Sequence, residues 1–99
     1  MRQPERAVVA VVRVDFRLQA SRSLKDKRSV IKSFREKAQG RFGVASCESG
    51  YLEDAGMASL TLAALAGRES AARDRLRTAV AFLEDHYEVE VFAAVEEVY

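Results

Sequence analysis

Four basic residues at helical spacing are the strongest chemical signal in this sequence of 99 residues. At about 100° per residue they fall on one stripe of a predicted helix and recur at one-turn intervals. The four residues are Lys25, Arg28, Lys32 and Arg35. Repeated cations at this interval suit a phosphate backbone better than a single small anion. The stripe therefore predicts binding to RNA or a ribosomal particle, although the same pattern also occurs on solvated helix faces.

Lys27 belongs to the same helix but lies on its apolar side, away from the stripe. A first-turn lysine can lay its stem over the core and keep its ammonium in water. It can also share an anion with the free backbone N–H groups at the helix start. Both interpretations stay open, and Lys27 is counted among the candidate anion-binding residues.

The other residue types that carry chemistry are isolated from one another. His86 is the single histidine and Cys47 the single cysteine, so the sequence contains no conventional metal-ligand set. Cys47 is predicted to be a small buried hydrophobe, because no base can be paired with its thiol. The five glycines are not grouped in a phosphate-binding loop. We therefore predict no catalytic residue, cofactor or metal, and a non-enzymatic protein.

The elements that must position these residues follow the order β-α-β-β-α-β. Ser23 is a predicted helix cap, supported by Asp26 three residues on, and Gly40 and Gly43 are predicted to stop this helix. The predicted strands cover 7–18, 44–51, 57–66 and 88–98, and the helices cover about 24–39 and 69–85. The alanines of 57–66 also suit a helix, which is the alternative for this segment. This order is typical of a ferredoxin-like α+β domain, with two helices on one face of a four-stranded antiparallel sheet. Residues 1–99 are assigned to one such domain.

The first and third strands are the central strands of this predicted sheet, and both are apolar on their two faces. A sheet with one solvated face should alternate apolar and polar residues, so the pattern indicates a covered face. A second copy of the chain is the natural cover, which predicts a homodimer through the sheet. The residues assigned to the dimer face are Val9, Val11, Met57, Ala63 and Leu65. Scattered exposed apolar residues are also common on ordinary protein surfaces.

Charge and cysteine content indicate the kind of ligand and the cellular compartment to expect. The net charge is only +1, yet eight basic residues cluster between residues 22 and 41, and residues 84–99 contain six acidic residues and no lysine or arginine. Such a dipolar chain can present a cationic patch while it stays nearly neutral. A single cysteine excludes an internal disulfide and favours a reducing compartment. With no predicted signal peptide in the polar segment 1–6 and no membrane helix, we expect a cytoplasmic protein.

Two known functions of ferredoxin-like domains fit this sequence poorly. An RNA-recognition motif needs stacking aromatic residues on its central strands. Here those strands carry only Phe16, on the face assigned to the core. An acylphosphatase uses an asparagine with an arginine in a phosphate-binding loop, and this chain has no asparagine. Base stacking on the sheet and acylphosphatase activity are therefore not expected.

The segment Ser23–Val30, with the sequence SLKDKRSV, resembles the SLK[ED]KRSV signature of the YlxP-like family of small bacterial proteins. The resemblance extends from the first strand to Glu48 and weakens beyond it. It implies a ferredoxin-like fold and no established reaction. Family members are often encoded among genes for translation and ribosome maturation, which implies a ribosome-linked role. The residues carried over by the resemblance are Ser23, Leu24, Lys25, Asp26, Lys27, Arg28 and Ser29.

This sequence departs from the YlxP-like pattern after the second predicted strand. Members commonly carry a tryptophan and further polar residues there, whereas this chain has Glu53-Asp54-Ala55-Gly56 and no tryptophan. A function that depends on segment 49–56 is therefore not implied for this chain. A protein-interaction or ligand-sensing dimer that uses the apolar sheet is the alternative to RNA docking.

Overall fold

The computed structural model describes residues 6–99 and has the predicted order β-α-β-β-α-β. Its elements are β1 (Val8–Leu18), α1 (Leu24–Phe42), β2 (Ala45–Gly50), β3 (Met57–Ala66), α2 (Glu69–His86) and β4 (Val89–Val98). The predicted ferredoxin-like α+β fold is confirmed. Residues 1–5, which belong to the predicted domain and to the polar N-terminal segment, lie outside the described residues.

The four strands form one antiparallel sheet in the order β2-β3-β1-β4. The central positions of β1 and β3 agree with the prediction. Across the sheet, Val12 is paired with Leu62 of β3 and with Glu96 of β4, which places these three side chains on one face. The register shifts between Asp15 and Phe16, opposite β4, and again within β2. Such bulges increase the local twist of the sheet.

The core lies between one face of this sheet and the two helices. Val14 and Phe16 of β1 and Leu60 of β3 are fully buried there. From the helix layer, α1 contributes Ile31, Phe34 and Ala38, and α2 contributes Ala72, Leu76, Ala79, Phe82 and Leu83. These residues recur at the helical spacing that buries one side of each helix. Because both helices occupy this face, the opposite face carries no helix; we call it the open face.

Helix α1 begins at the predicted cap. The Ser23 hydroxyl oxygen accepts a hydrogen bond from the backbone N–H of Asp26, at 3.1 Å. The Asp26 carboxylate in turn accepts from the backbone N–H of Arg22 at 3.0 Å, one residue before the position used in a capping box. The carboxylate also places negative charge near the helix N-terminus, where the helix dipole favours it.

Helix α1 continues three residues beyond the predicted end at Gln39. Gly40 lies inside the helix, which tolerates an interior glycine at a cost of about 1 kcal/mol. The helix ends instead at Gly43, whose φ of 64° is left-handed and whose N–H donates to the carbonyl of Gln39. The following N–H, of Val44, donates to Ala38, which completes the usual glycine-based helix end. The prediction was right about Gly43 and wrong about Gly40.

Candidate nucleic-acid interface

The four predicted stripe residues all lie on the solvent side of α1. Lys25, Arg28, Lys32 and Arg35 are exposed, whereas Ile31 and Phe34 between them are buried. We keep the name basic stripe for these four residues. A rise of 1.5 Å per residue gives the stripe a length of about 15 Å, which matches roughly four phosphates of one nucleic-acid strand. The structure therefore brings the four cations together in a row.

Three residues of the basic stripe are free of carboxylate partners. Within residues 6–99, no ion pair or side-chain hydrogen bond involves Lys25, Arg28 or Lys32. The fourth residue, Arg35, is anchored to the edge strand β2. Its Nε donates to the Ser46 hydroxyl at 3.1 Å and its Nη2 donates to the Ser46 carbonyl at 2.7 Å. A guanidinium has five N–H donors, so Arg35 keeps donors for a further ligand.

A groove of about 440 Å³ runs between α1 and β2 alongside the basic stripe. Its lining residues are Arg28, Ile31, Lys32, Arg35, Glu36, Gln39, Ser46 and Glu48. Three of these residues are cations and two are carboxylates. The negative charge of Glu48 is already compensated by an ion pair with Lys27. The groove therefore offers an excess of positive charge with polar walls, which suits an anionic chain.

Lys27 is not available to an external anion, contrary to its place among the candidate binding residues. Its side chain is only 2% exposed, and its ammonium lies 3.1 Å from a carboxylate oxygen of Glu48. The same ammonium donates to the backbone carbonyls of Tyr51, at 2.5 Å, and Asp54, at 2.8 Å. The buried stem of Lys27 agrees with the sequence prediction. The ammonium was expected to lie in water, and in the structure it is buried instead. The cause is the β2–β3 loop, which closes over the helix start.

The loop from Tyr51 to Gly56 is held in place by Lys27. Tyr51 has a φ of 55°, a left-handed conformation that is uncommon for a residue other than glycine. Its carbonyl accepts from both Lys27 and the N–H of Asp54, and the Asp54 carboxylate accepts from the N–H of Gly56. Sequence reasoning missed Glu48, Tyr51 and Asp54 as partners of Lys27. The only signal was a lysine on the apolar side of its helix, which requires a buried acceptor.

The basic residues of α2 differ from the basic stripe because they are paired. Arg77 donates to both carboxylate oxygens of Glu96 on β4, at 3.2 and 3.1 Å, and Arg73 approaches the same carboxylate at 2.5 Å. The hydrogen bonds from Arg77 lower the pKa of Glu96, against the opposing effect of burial, and Arg73 lowers it further. Arg75 donates to the carbonyl of Leu65. Arg73 and Arg77 therefore have a carboxylate partner within the fold, which Lys25, Arg28 and Lys32 lack among the described residues.

The open face carries all five residues assigned to the dimer face. Val9, Val11, Met57, Ala63 and Leu65 alternate with buried neighbours along β1 and β3. Leu65 is 63% exposed and Val9 is 37% exposed. Sequence reasoning missed the contribution of β4 and the residue after it, which add Phe92, Val95 and Tyr99 to the exposed apolar residues. The acidic residues of β4 obscured its apolar pattern.

Cys47 and His86 offer no site within the described residues. Cys47 is exposed on β2, so its prediction as a buried residue is wrong: β2 is a sheet edge and Cys47 points to the open face. His86, at the end of α2, stacks on Phe82 with ring centroids 4.2 Å apart. Residues 6–99 contain no cluster of three metal-ligating side chains. None of the helices described is long and apolar enough to cross a bilayer.

Fold and charge distribution define a ferredoxin-like α+β protein with a cationic groove between α1 and β2. Over residues 9–95 the chain matches the family described as "Protein of unknown function (DUF503)", and it belongs to that family. No curated protein matches the chain.

Two solved structures are similar to the chain. The first is a structural genomics protein named YJCS, with 10% sequence identity and a TM-score of 0.56, covering 90% of this chain and 96% of that chain. The second is a de novo designed protein, Foldit4, with 14% identity and a TM-score of 0.47, at the same coverage of 90% and 96%. At this level of identity, the similarity to YJCS concerns the fold alone.

Proposed function

We propose that this protein is a non-enzymatic, cytoplasmic accessory protein that docks on structured RNA, such as that of a ribosomal particle, through the basic stripe of α1. The observation that carries the proposal is that Lys25, Arg28 and Lys32 have no ion pair among the described residues, whereas Arg73 and Arg77 of α2 are paired with Glu96. Free cations release condensed counterions when they meet phosphates, and this release supplies affinity without a sequence code. The resemblance of Ser23–Val30 to the YlxP-like signature supports a ribosome-linked role.

The groove supports a backbone-directed mode of binding. Arg28, Lys32 and Arg35 line one wall, and Ser46 on the opposite wall holds Arg35 in place. A guanidinium fixed in this way loses less side-chain entropy when a phosphate binds. Phosphates in the groove would meet three cations on one side of the helix. We therefore expect affinity that depends strongly on salt and weakly on RNA sequence.

Co-sedimentation of the purified protein with ribosomal subunits across a salt series tests this proposal. For about three phosphate contacts, affinity should fall roughly 20- to 40-fold between 50 and 200 mM salt. Charge reversal of Lys25, Arg28 and Lys32 to Glu should abolish association. The absence of association at low salt, or unchanged association of this variant, would refute the proposal.

A matched control separates the stripe from general charge effects. Lys37, Arg41 and Arg68 are also exposed, but Lys37 lies over the ring of Tyr87 and Arg41 over the ring of Phe82, on the α2 side of α1. Reversal of these three to Glu changes the net charge by the same amount. We expect this control to retain most of the association. An equal loss in the two variants would point to a nonspecific effect of net charge.

The alternative function is a protein-interaction or ligand-sensing module, which the exposed apolar residues of the open face favour. Binding to an apolar surface weakens little with salt, whereas phosphate contacts weaken steeply. The same salt series therefore separates the two functions. Binding to a partner that survives both high salt and the stripe reversal would support the alternative.

A further inference from the structure

Most exposed apolar side chains of the described residues lie on one surface. Of the seven large apolar residues that are exposed, five are on the open face. These five are Val9, Leu65, Phe92, Val95 and Tyr99. Single exposed apolar residues need no explanation, but a contiguous group on one face of a sheet indicates an interaction surface. The other two, Tyr51 and Leu52, lie in the β2–β3 loop.

Strand pairing makes these residues contiguous at one end of the open face. Val9 of β1 is the partner of Leu65 on β3, and its backbone N–H and carbonyl both bond to Tyr99 beside β4. Leu65, Val9 and Tyr99 therefore form an apolar row across three strands. The next row holds Ala63 of β3, Val11 of β1 and Glu97 of the edge strand β4, whose carboxylate accepts a hydrogen bond from the Tyr99 hydroxyl. We call this end of the open face its apolar half.

The other half of the open face is charged, and its charges are compensated within the chain. Arg13 pairs with Asp15 at 3.2 Å, and Arg17 pairs with Glu90 at 3.0 Å. The Arg17 guanidinium also lies 4.6 Å from the ring centroid of Phe92. Because these ions already have partners, this half does not require a partner protein of opposite charge.

The size of the open face suits a second copy of this chain. Four strands of 6 to 11 residues, about 4.8 Å apart, give a face of roughly 600 Å². Two such faces in contact bury roughly 1,200 Å², which is the lower limit for a stable protein–protein interface. An isologous contact needs a surface that can meet itself. This face meets that condition at its apolar end, where Glu97 lies on the edge strand β4, and at its other end, where Arg13 and Arg17 have ion pairs within the chain.

We propose that the open face binds a second copy of the chain and forms a face-to-face homodimer, in which the apolar halves supply most of the buried apolar area. The two sheets then form the centre of the dimer, and the helices lie outside. This inference is independent of RNA docking, because the basic stripe belongs to the helix layer.

Sedimentation velocity of the full chain over a concentration series tests the dimer. The variant Leu65→Glu should raise the dissociation constant of the dimer roughly 10- to 100-fold, because a charge replaces a leucine that is buried in the dimer. Leu52→Glu is the matched control, since Leu52 is 60% exposed but lies in the loop, whereas Leu65 is 63% exposed on the open face. Val95→Glu provides a second disruption from another strand.

Cys47 gives an independent readout because it is the single thiol and lies on the open face. In the parent protein, its rate of alkylation should fall as the protein concentration rises. In Leu65→Glu it should stay at the monomer rate.

Three outcomes would overturn the homodimer. The parent protein could remain monomeric up to about 100 μM, a concentration at which a weak dimer would still form. Both disrupting variants could stay dimeric while their circular dichroism spectra remain those of the parent protein. Leu52→Glu could dissociate the dimer as strongly as Leu65→Glu, which would move the interface to the loop.

Discussion

The two helices are similar in length, with 19 residues in α1 and 18 in α2, yet they use their basic residues in opposite ways. In α2, Arg73 and Arg77 converge on Glu96 and fasten the helix to β4. In α1, Lys25, Arg28 and Lys32 have no carboxylate partner among the described residues. The number of cations on a helix is therefore a poor guide to a binding site, and the pairing of those cations within the fold is a better one.

The same contrast exists inside α1, between Lys25 and Lys27. Lys25 is exposed, and Lys27 is buried against Glu48 and two backbone carbonyls. Two residues apart on a helix, side chains point about 200° away from each other. Within one short motif, Lys27 therefore has a structural role and Lys25 has a proposed binding role.

Replacement of Lys27 is expected to have the largest effect on stability. Lys27→Ala leaves a solvent-shielded oxygen of Glu48 without its cation and frees the carbonyls of Tyr51 and Asp54. We expect the free energy of unfolding to fall by about 3 kcal/mol, because a buried charge loses its partner. Urea denaturation followed by circular dichroism measures this change.

Lys25→Ala is the control for this substitution, and it should change the free energy of unfolding by less than about 0.5 kcal/mol. If Lys27→Ala changed the free energy of unfolding as little as Lys25→Ala does, the contacts of the buried Lys27 would not stabilise the fold as predicted. The double variant Lys27→Met with Glu48→Leu should recover part of the loss, since apolar residues can replace a buried ion pair.

Removal of the carboxylate that pairs the α2 cations is expected to have a moderate effect. Glu96→Gln should lower the free energy of unfolding by about 1 kcal/mol near neutral pH, because solvent screens the pair with Arg77, which is largely exposed. The pKa of Glu96 is lowered in the folded protein, chiefly by hydrogen bonds from Arg77. Its contribution is therefore complete above the ordinary carboxyl pKa and disappears as the pH falls through the folded-state pKa.

Urea titrations of both proteins from neutral to acidic pH measure this dependence. The stability difference between the parent protein and Glu96→Gln should vanish at the acidic end. Glu84→Gln, at an exposed position of α2 with no ion pair among the described residues, should show no such difference at either pH. A difference that persists in acid would mean that Glu96 stabilises the fold by packing rather than by charge.

The smallest expected effect has the opposite sign. Lys25 lies in the first turn of α1, where a cation opposes the helix dipole. Lys25→Gln should therefore raise the free energy of unfolding by about 0.3 kcal/mol. The same variant should weaken RNA association and reduce the salt slope by about 1.

Calorimetry and the salt series measure these two quantities on the same samples. The control is Lys32→Gln, near the middle of α1 and without an ion pair among the described residues, which should leave the free energy of unfolding nearly unchanged and weaken RNA association to a similar degree. A variant of Lys25 that is more stable and binds equally well would remove Lys25 from the proposed interface.

The fold could be predicted because its signals are periodic. The alternation in β1 and the apolar run of β3 identified the two central strands, and the helical period separated the basic stripe from the buried side of α1. Gly43 was identifiable as a helix end because a left-handed residue there favours glycine. Gly40 was misleading, since a glycine followed by residues that still favour a helix does not end it.

The contacts of Lys27 could not be predicted because they join distant parts of the sequence. Glu48, Tyr51 and Asp54 reach the helix start only after β2 has formed and the loop has turned. No local period marks a backbone carbonyl as the partner of a side chain. The exposure of Cys47 has a similar cause, since β2 is an edge strand and its burial depends on the order of the strands in the sheet.

The two-layer architecture has a consequence for the valency of the proposed complex. The helices cover one face of the sheet, so the basic stripe and the apolar half belong to opposite layers of the molecule. A dimer through the open face would carry its two stripes outward, pointing away from each other. Such a particle could cross-link two separate RNA segments, or two regions of one folded RNA, with the avidity of linked sites. The two stacked sheets would then set the distance between the RNA segments that the dimer binds.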